Sequence, residues 1–170
     1  DYITMLDSDD RLKPCSLRDA VAFLKAQRPD MLLTRLLEIR DIRKITAFWQ
    51  GFTPIALSQK EAIKRFLQHK EFQAHLIGQF IHRKLYESNP IPSMVCYEDF
   101  AVFPAMLMQA EKISYQRQGH YYYIKRSDSL SSRLDASKIT TLVECTLKME
   151  KTFPQAFKNL INCHWFDIYS

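Results

Sequence analysis

The chain has 170 residues, 46% of them hydrophobic and 25% charged, with only three glycines. That composition fits one globular domain and excludes a disordered segment or a fibrous repeat, and no apolar run reaches the roughly 18 to 20 residues that span a bilayer. The net charge of +5 and pI near 9.0 come from basic residues densest at 35–44, 60–70 and 82–84; each patch is broken by apolar residues, so a solvated basic face is expected and nucleic acid is not an expected partner.

In chain order, residues 2–6 (Tyr-Ile-Thr-Met-Leu) are apolar, aromatic or β-branched and stop abruptly at Asp7-Ser8-Asp9-Asp10. The pattern predicts a short buried strand delivering carboxylates at its C-terminal end. A strand of that kind needs neighbours on both edges, and nothing upstream of Asp1 supplies one. The opening residues are neither an initiator Met nor a signal peptide, so the chain is expected to begin inside a longer protein. Pro14 and Ser16 open a helix whose stripe is Leu17, Ala20, Val21 and Leu24, stopped by Arg28-Pro29. Residues 31–39 and 45–52 read as strands, with a hairpin between them as one option.

Ser58 with Glu61 three residues on predicts a capped helix before Ile63, Phe66 and Leu67. Residues 75–81 fit either a strand or a helix end, and the two prolines of 89–92 make a loop. Residues 98–111 are helix-forming, with Phe100, Phe103, Leu107 and Ala110 on one face and a start or kink at Pro104. Residues 113–116 and 120–125 read as two strands around Gly119, and 137–161 as a helical tail interrupted near Pro154. The alternation predicts an α/β fold, with residues 1–134 as the domain and 135–170 as a C-terminal helical extension. Cys15, Cys96, Cys145 and Cys163 are far apart and form no Cys-x-x-Cys pair, as in a protein with reduced thiols in the cytoplasm.

Three stretches could carry chemistry. Three carboxylates in four residues, Asp7, Asp9 and Asp10, repel one another unless a cation sits among them, and hard oxygen ligands suit Mg²⁺ or Mn²⁺. A solvated acidic turn capping the next helix explains them equally. Glu98 and Asp99 fit a general base or two acids in the first turn of a helix. The aromatic strand 120–125 leads into Lys125, Arg126 and the hydroxyls of Ser127, Ser129 and Ser131, groups able to contact a diphosphate or a sugar, although three tyrosines in a strand are also ordinary packing.

Order changes the odds. The strand followed by Leu6-Asp7-Ser8-Asp9-Asp10, Leu12, Pro14 and Leu17 resembles the metal-binding segment of family 2 glycosyltransferases of the GT-A fold. Downstream, Phe80-Ile81-His82-Arg83-Lys84-Leu85-Tyr86, Ile91-Pro92, Tyr97-Glu98-Asp99-Phe100, Lys112-Ile113 and the tyrosine strand into Arg126–Ser131 match that family in order. The resemblance covers 1–17 and about 76–131, and it departs at Ile77 and Gln79, where members often have Trp and Lys.

It implies the acceptor-side part of a GT-A domain: a mixed sheet with flanking helices, followed here by the helical tail. The implied activity is metal-dependent, inverting sugar transfer from a nucleotide-diphosphate sugar to a glycan or lipid-linked acceptor, in bacterial cell-surface polysaccharide synthesis. Asp7 and Asp9 would hold Mn²⁺ or Mg²⁺; Asp99, with Glu98 beside it, would be the catalytic base; Asp10, Arg126 and Ser129 would contact substrate. The family's nucleobase-binding half would precede Asp1, so the 170 residues alone are expected to be inactive and to self-associate through exposed strand faces. A cytoplasmic place is expected, with peripheral contact on the inner membrane face as an option. The competing reading is a non-catalytic, truncated copy that keeps the scaffold and binds a partner.

Overall fold

The computed structural model describes residues 1–45, 51–125 and 135–169. Among them, six strands and six α-helices follow one another as β1 (Tyr2–Ile3), β2 (Arg11–Leu12), α1 (Ser16–Gln27), β3 (Met31–Ile39), β4 (Ile55–Leu57), α2 (Gln59–Leu67), β5 (Phe80–His82), α3 (Arg83–Ser88), α4 (Glu98–Gln109), β6 (Ile113–Ile124), α5 (Ala136–Thr152) and α6 (Lys158–Tyr169). The sheet order is β1-β5-β3-β6-β2, with β4 paired to the other end of β6. β3 and β6 run parallel; the other pairs are antiparallel. The result is a mixed α/β sheet, as expected.

β3 forms the middle because its first four residues, Met31 to Thr34, are buried on both faces, the pattern of a central strand. Its side chains divide by parity. Met31 and Leu33 enter a large core with Phe66 of α2, Phe103 of α4 and Ile113 of β6, whereas Leu32 faces a small cluster with Phe80, Ala20 and Leu24. The large core is aromatic at its centre, with Phe66 5.4 Å from Phe103 and 6.0 Å from Phe153. α5, α6 and the link between them pack on this same core through Cys145, Met149, Phe153, Phe157 and Ile161. α2 begins at Ser58, whose hydroxyl accepts from the Glu61 amide at 3.2 Å, as its capping pattern predicts.

Four expectations are corrected. The first strand is shorter than 2–6: regular pairing covers Tyr2–Ile3, Met5 makes an isolated bridge to Ile77, and Leu6 is half exposed. Residues 113–116 and 120–125 belong to one strand, β6. The register to β3 jumps between Thr34/Gln116 and Leu36/Tyr121, so β6 carries extra residues that bulge where Gly119 takes φ 58°. A Cβ there would meet the Arg35 carbonyl at 2.7 Å, which is why glycine occupies the bulge. α4 starts at Glu98 and runs through Pro104 rather than beginning there. Of the stripe expected on α1, Ala20 and Leu24 are buried but Leu17 and Val21 are each 44% exposed. The strand expected over 45–52 falls largely outside the described residues.

Between β3 and β5 the Gln79 side chain takes the place of a strand neighbour. Its Oε1 accepts from the Thr34 amide at 2.6 Å and its Nε2 donates to the Thr34 carbonyl at 3.1 Å. A buried amide thus completes backbone pairing where the short β5 has not yet begun.

Candidate functional site

After Met5 the chain leaves the sheet, and Asp7 to Asp10 form a turn closed by the Asp10 amide donating to the Asp7 carbonyl at 3.1 Å. One side chain clamps both ends of it. The Tyr121 hydroxyl accepts from the Asp7 amide at 3.1 Å and donates to Asp10 Oδ2 at 2.6 Å. Asp10 Oδ1 accepts from the Ile124 amide at 2.8 Å. Asp10 is therefore buried with both oxygens engaged inside the fold. Tyr121 has room because residue 78 is glycine: a Cβ there would come within 2.8 Å of the ring. Burial, then the bond to Asp10, pushes the Tyr121 phenol far above its ordinary range.

Asp7 is exposed and Asp9 half-buried on this turn. Partial burial raises the Asp7 carboxyl above its ordinary value, followed by repulsion from Asp10 and Asp9 and, from the start of α4, Glu98 and Asp99. The fold thus brings the two acidic stretches singled out in the sequence into one electrostatic neighbourhood.

Glu98 and Asp99 open α4, and Tyr97 before them takes φ 62°, a left-handed conformation that costs a non-glycine residue roughly 1–3 kcal/mol. Asp99 Oδ1 accepts from the Phe100 amide at 2.7 Å, and Oδ2 lies 3.5 Å from His75 Nδ1. Asp99 and His75 line a hollow of about 200 Å³ with Phe66, Tyr97 and His164. Asp7 and Asp9 are not among its described lining residues. Glu98 is exposed at the helix start. Arg126 and Ser129 lie outside the described residues.

Among the described residues no three His, Cys, Asp or Glu side chains converge as a ready-made metal cage. The donor set at the turn is instead two carboxylates, Asp7 and Asp9, in a field of further negative charge. That suits Mg²⁺ or Mn²⁺, which take one or two carboxylates and complete their shell with water and substrate phosphate. A cation would relieve the repulsion that raises the Asp7 carboxyl, so the two carboxylates fit the metal expected from the sequence.

Sequence reading missed His75 and Tyr121. His75 sits between Ala74 and Leu76 with no partner residue near it in sequence. Tyr121 is one of three consecutive tyrosines, and only the β2–β6 pairing (Leu12 opposite Tyr121) singles it out.

No family model matches the chain, and no curated protein sequence matches it. Solved structures do, and they define the fold as part of a glycosyltransferase-like domain. S. aureus TarS 1-349 in complex with UDP-GlcNAc matches with a TM-score of 0.70 at 18% identity, over 99% of this chain and 48% of that one. TarS 1-349 alone gives 0.63 at 17% identity over 99% and 46%, and its complex with UDP gives 0.62 at 17% over 94% and 44%. The chain spans less than half the length of the TarS chains it matches.

Proposed function

We propose that this chain is the acceptor-side part of a metal-dependent, inverting glycosyltransferase of family 2 that uses a UDP-sugar or related nucleotide-diphosphate sugar. The observation that carries the reading is a glycosyltransferase-like fold in which Glu98 and Asp99 lie near enough to the acidic turn for their charges to help raise the Asp7 carboxyl. The acceptor in this reading is a glycan or lipid-linked sugar of a cell-surface polysaccharide.

Asp7 and Asp9 would hold Mn²⁺ or Mg²⁺, which supplies positive charge against the diphosphate. Asp99 takes the proton of the acceptor hydroxyl. The freed oxygen pair bonds to the anomeric carbon as that carbon's bond to the diphosphate oxygen breaks, so the centre inverts and the nucleoside diphosphate leaves. His75 braces Asp99 Oδ2 from the side, and Asp10 keeps the turn on the sheet. Nucleobase contacts are expected from outside these residues.

Manganese binding to the chain, followed by electron paramagnetic resonance, tests the first half. Asp7→Asn and Asp9→Asn should each weaken Mn²⁺ binding at least about tenfold, and Asp99→Asn should leave it unchanged. In a form of the protein that transfers sugar from UDP-GlcNAc, Asp99→Asn should lower turnover by about 10²–10⁴-fold with donor binding intact. Near-normal turnover would reduce Asp99 to a helix-start residue. Mn²⁺ binding indifferent to Asp7 and Asp9 would favour the non-catalytic copy, a reading to which the full engagement of Asp10 also lends support.

A further inference from the structure

Where β6 bulges away from β3, the turn after α2 closes over a hollow of about 610 Å³. Its lining includes Arg35, Lys64, Arg65, Lys70 and Arg117 against Glu38, Glu61 and Glu71. The acids are already committed. Arg65 holds Glu61 at 2.7 Å and Glu71 at 2.6 Å, and Glu38 pairs with Lys125 at 2.8 Å. Arg117, 81% exposed, reaches Glu71 only at 3.7 Å. Among the described residues Arg35, Lys64 and Lys70 have no carboxylate within ion-pair distance, so the wall carries a surplus of positive charge.

The turn bearing Lys70 is held in an unusual shape. His69 (φ 51°) and Glu71 (φ 72°) on either side both take the left-handed conformation, and the Arg65–Glu71 pair pins it. Charges on a concave wall focus their field on what enters it. A guanidinium fork donates paired hydrogen bonds to two oxygens of a phosphate or a carboxylate, charged groups that a neutral sugar lacks.

The hollow also borders the one that holds the candidate base. His69, Gln73 and His75 line both it and the smaller hollow at Asp99. We infer that this basic hollow is the acceptor site and that the acceptor is anionic, a glycan or lipid-linked sugar bearing phosphate or carboxylate groups, with its hydroxyl directed toward Asp99. The inference rests on the transferase reading above and adds the chemical class of the acceptor.

Calorimetric titration of the chain at low salt tests it with tripolyphosphate, trigalacturonate, neutral maltotriose and hexathymidylate. One of the two small anions should bind, with affinity falling as salt rises, and which one identifies phosphate or carboxylate as the recognised group; maltotriose should not bind. The triple variant Arg35→Glu, Lys64→Glu, Lys70→Glu, shown by circular dichroism to keep its fold, should lose at least tenfold in that affinity. A separate Mn²⁺ titration of the same variant should be unchanged. Asp9→Asn, which probes the transferase reading, should leave anion affinity within about twofold, so the two ideas fail separately. The inference is overturned if neither anion binds better than maltotriose, if charge reversal leaves affinity within twofold, or if Mn²⁺ and anion binding are lost together. Tighter binding of hexathymidylate than of either anion would also overturn it, in favour of nucleic acid.

Discussion

The two faces of the sheet are built to different standards. One carries α2, α4, α5 and α6 over a continuous core in which Phe103, Met106, Leu107 and Ile113 have almost no exposed surface. Among the described residues, α1 is the helix that covers the other, with Phe52 packed beside it. There a cluster of Ala20, Leu24, Leu32 and Phe80 gives way to a hollow of about 1020 Å³ edged by Tyr2, Leu17 and Val21. Burial on the first face holds the fold. The second contributes less, and the candidate chemistry is divided: Asp99 opens α4 on the tightly packed face, whereas the acidic turn links β1 to β2 at the rim of the sheet.

The largest effect should separate the faces directly. Phe103→Ala, in the middle of the aromatic core, should cost about 3–5 kcal/mol in urea unfolding, whereas Leu17→Ala on α1 should stay within about 1 kcal/mol. Comparable losses at both sites would mean that α1 is as tightly held as α4.

A middle-sized effect sharpens the contrast through pH. His120 is fully buried, stacked 5.2 Å from Phe80, and among the described residues neither ring nitrogen has a hydrogen-bond partner. Burial, then nearby Lys13, lowers its pKa to about 4 from an ordinary 6.5. The unfolded chain therefore takes up a proton that the fold refuses. Stability present above pH 6.5 should be lost as pH falls toward 4, with a slope of up to about 1.4 kcal/mol per pH unit from this one group. His120→Phe should flatten that segment of the unfolding profile, and an unaltered slope would remove His120 as its cause.

The smallest effect lies at the turn. The fold disfavours ionised Asp7, a penalty absent at low pH that grows as pH rises from the ordinary carboxyl value to the raised one. Asp7→Asn should raise the melting temperature slightly at pH 7 and leave it unchanged at pH 3. Added Mn²⁺ should raise that of the wild type more than that of the variant. An equal shift at both pH values would show that repulsion at the turn is negligible.

Much of this was legible in the sequence because it is written locally. The Ser58 cap, the apolar run of β3 and the helical period of α2 need only neighbouring residues to be read, whereas on α5 the apolar Ile139 and Leu147 are each 46% exposed and Cys145, Thr146 and Met149 are buried instead. The length of β6 was not legible, since Gly119 signals a break in isolation and proves to be a bulge only when β3 lies alongside. Leu17 and Val21 misled for a related reason: a helical stripe shows which side is apolar but not how much of it another layer covers. At the candidate site the acids at 7–10 and 98–99 stood out by type and spacing. The His75–Asp99 contact and the Tyr121 clamp join residues 24 and 111 positions apart, and no local pattern announces such pairs.

The engagement of Asp10 has a consequence for anyone moving this turn elsewhere. Of its three acids, one behaves as a fastener, and its mating parts are the Tyr121 phenol and the Ile124 amide more than a hundred positions later. A graft of Leu6 to Asp10 onto a foreign sheet would carry the charges without the anchor. It would splay under its own repulsion unless the host strand also supplied a tyrosine at the matching register and a glycine beneath the ring to seat it.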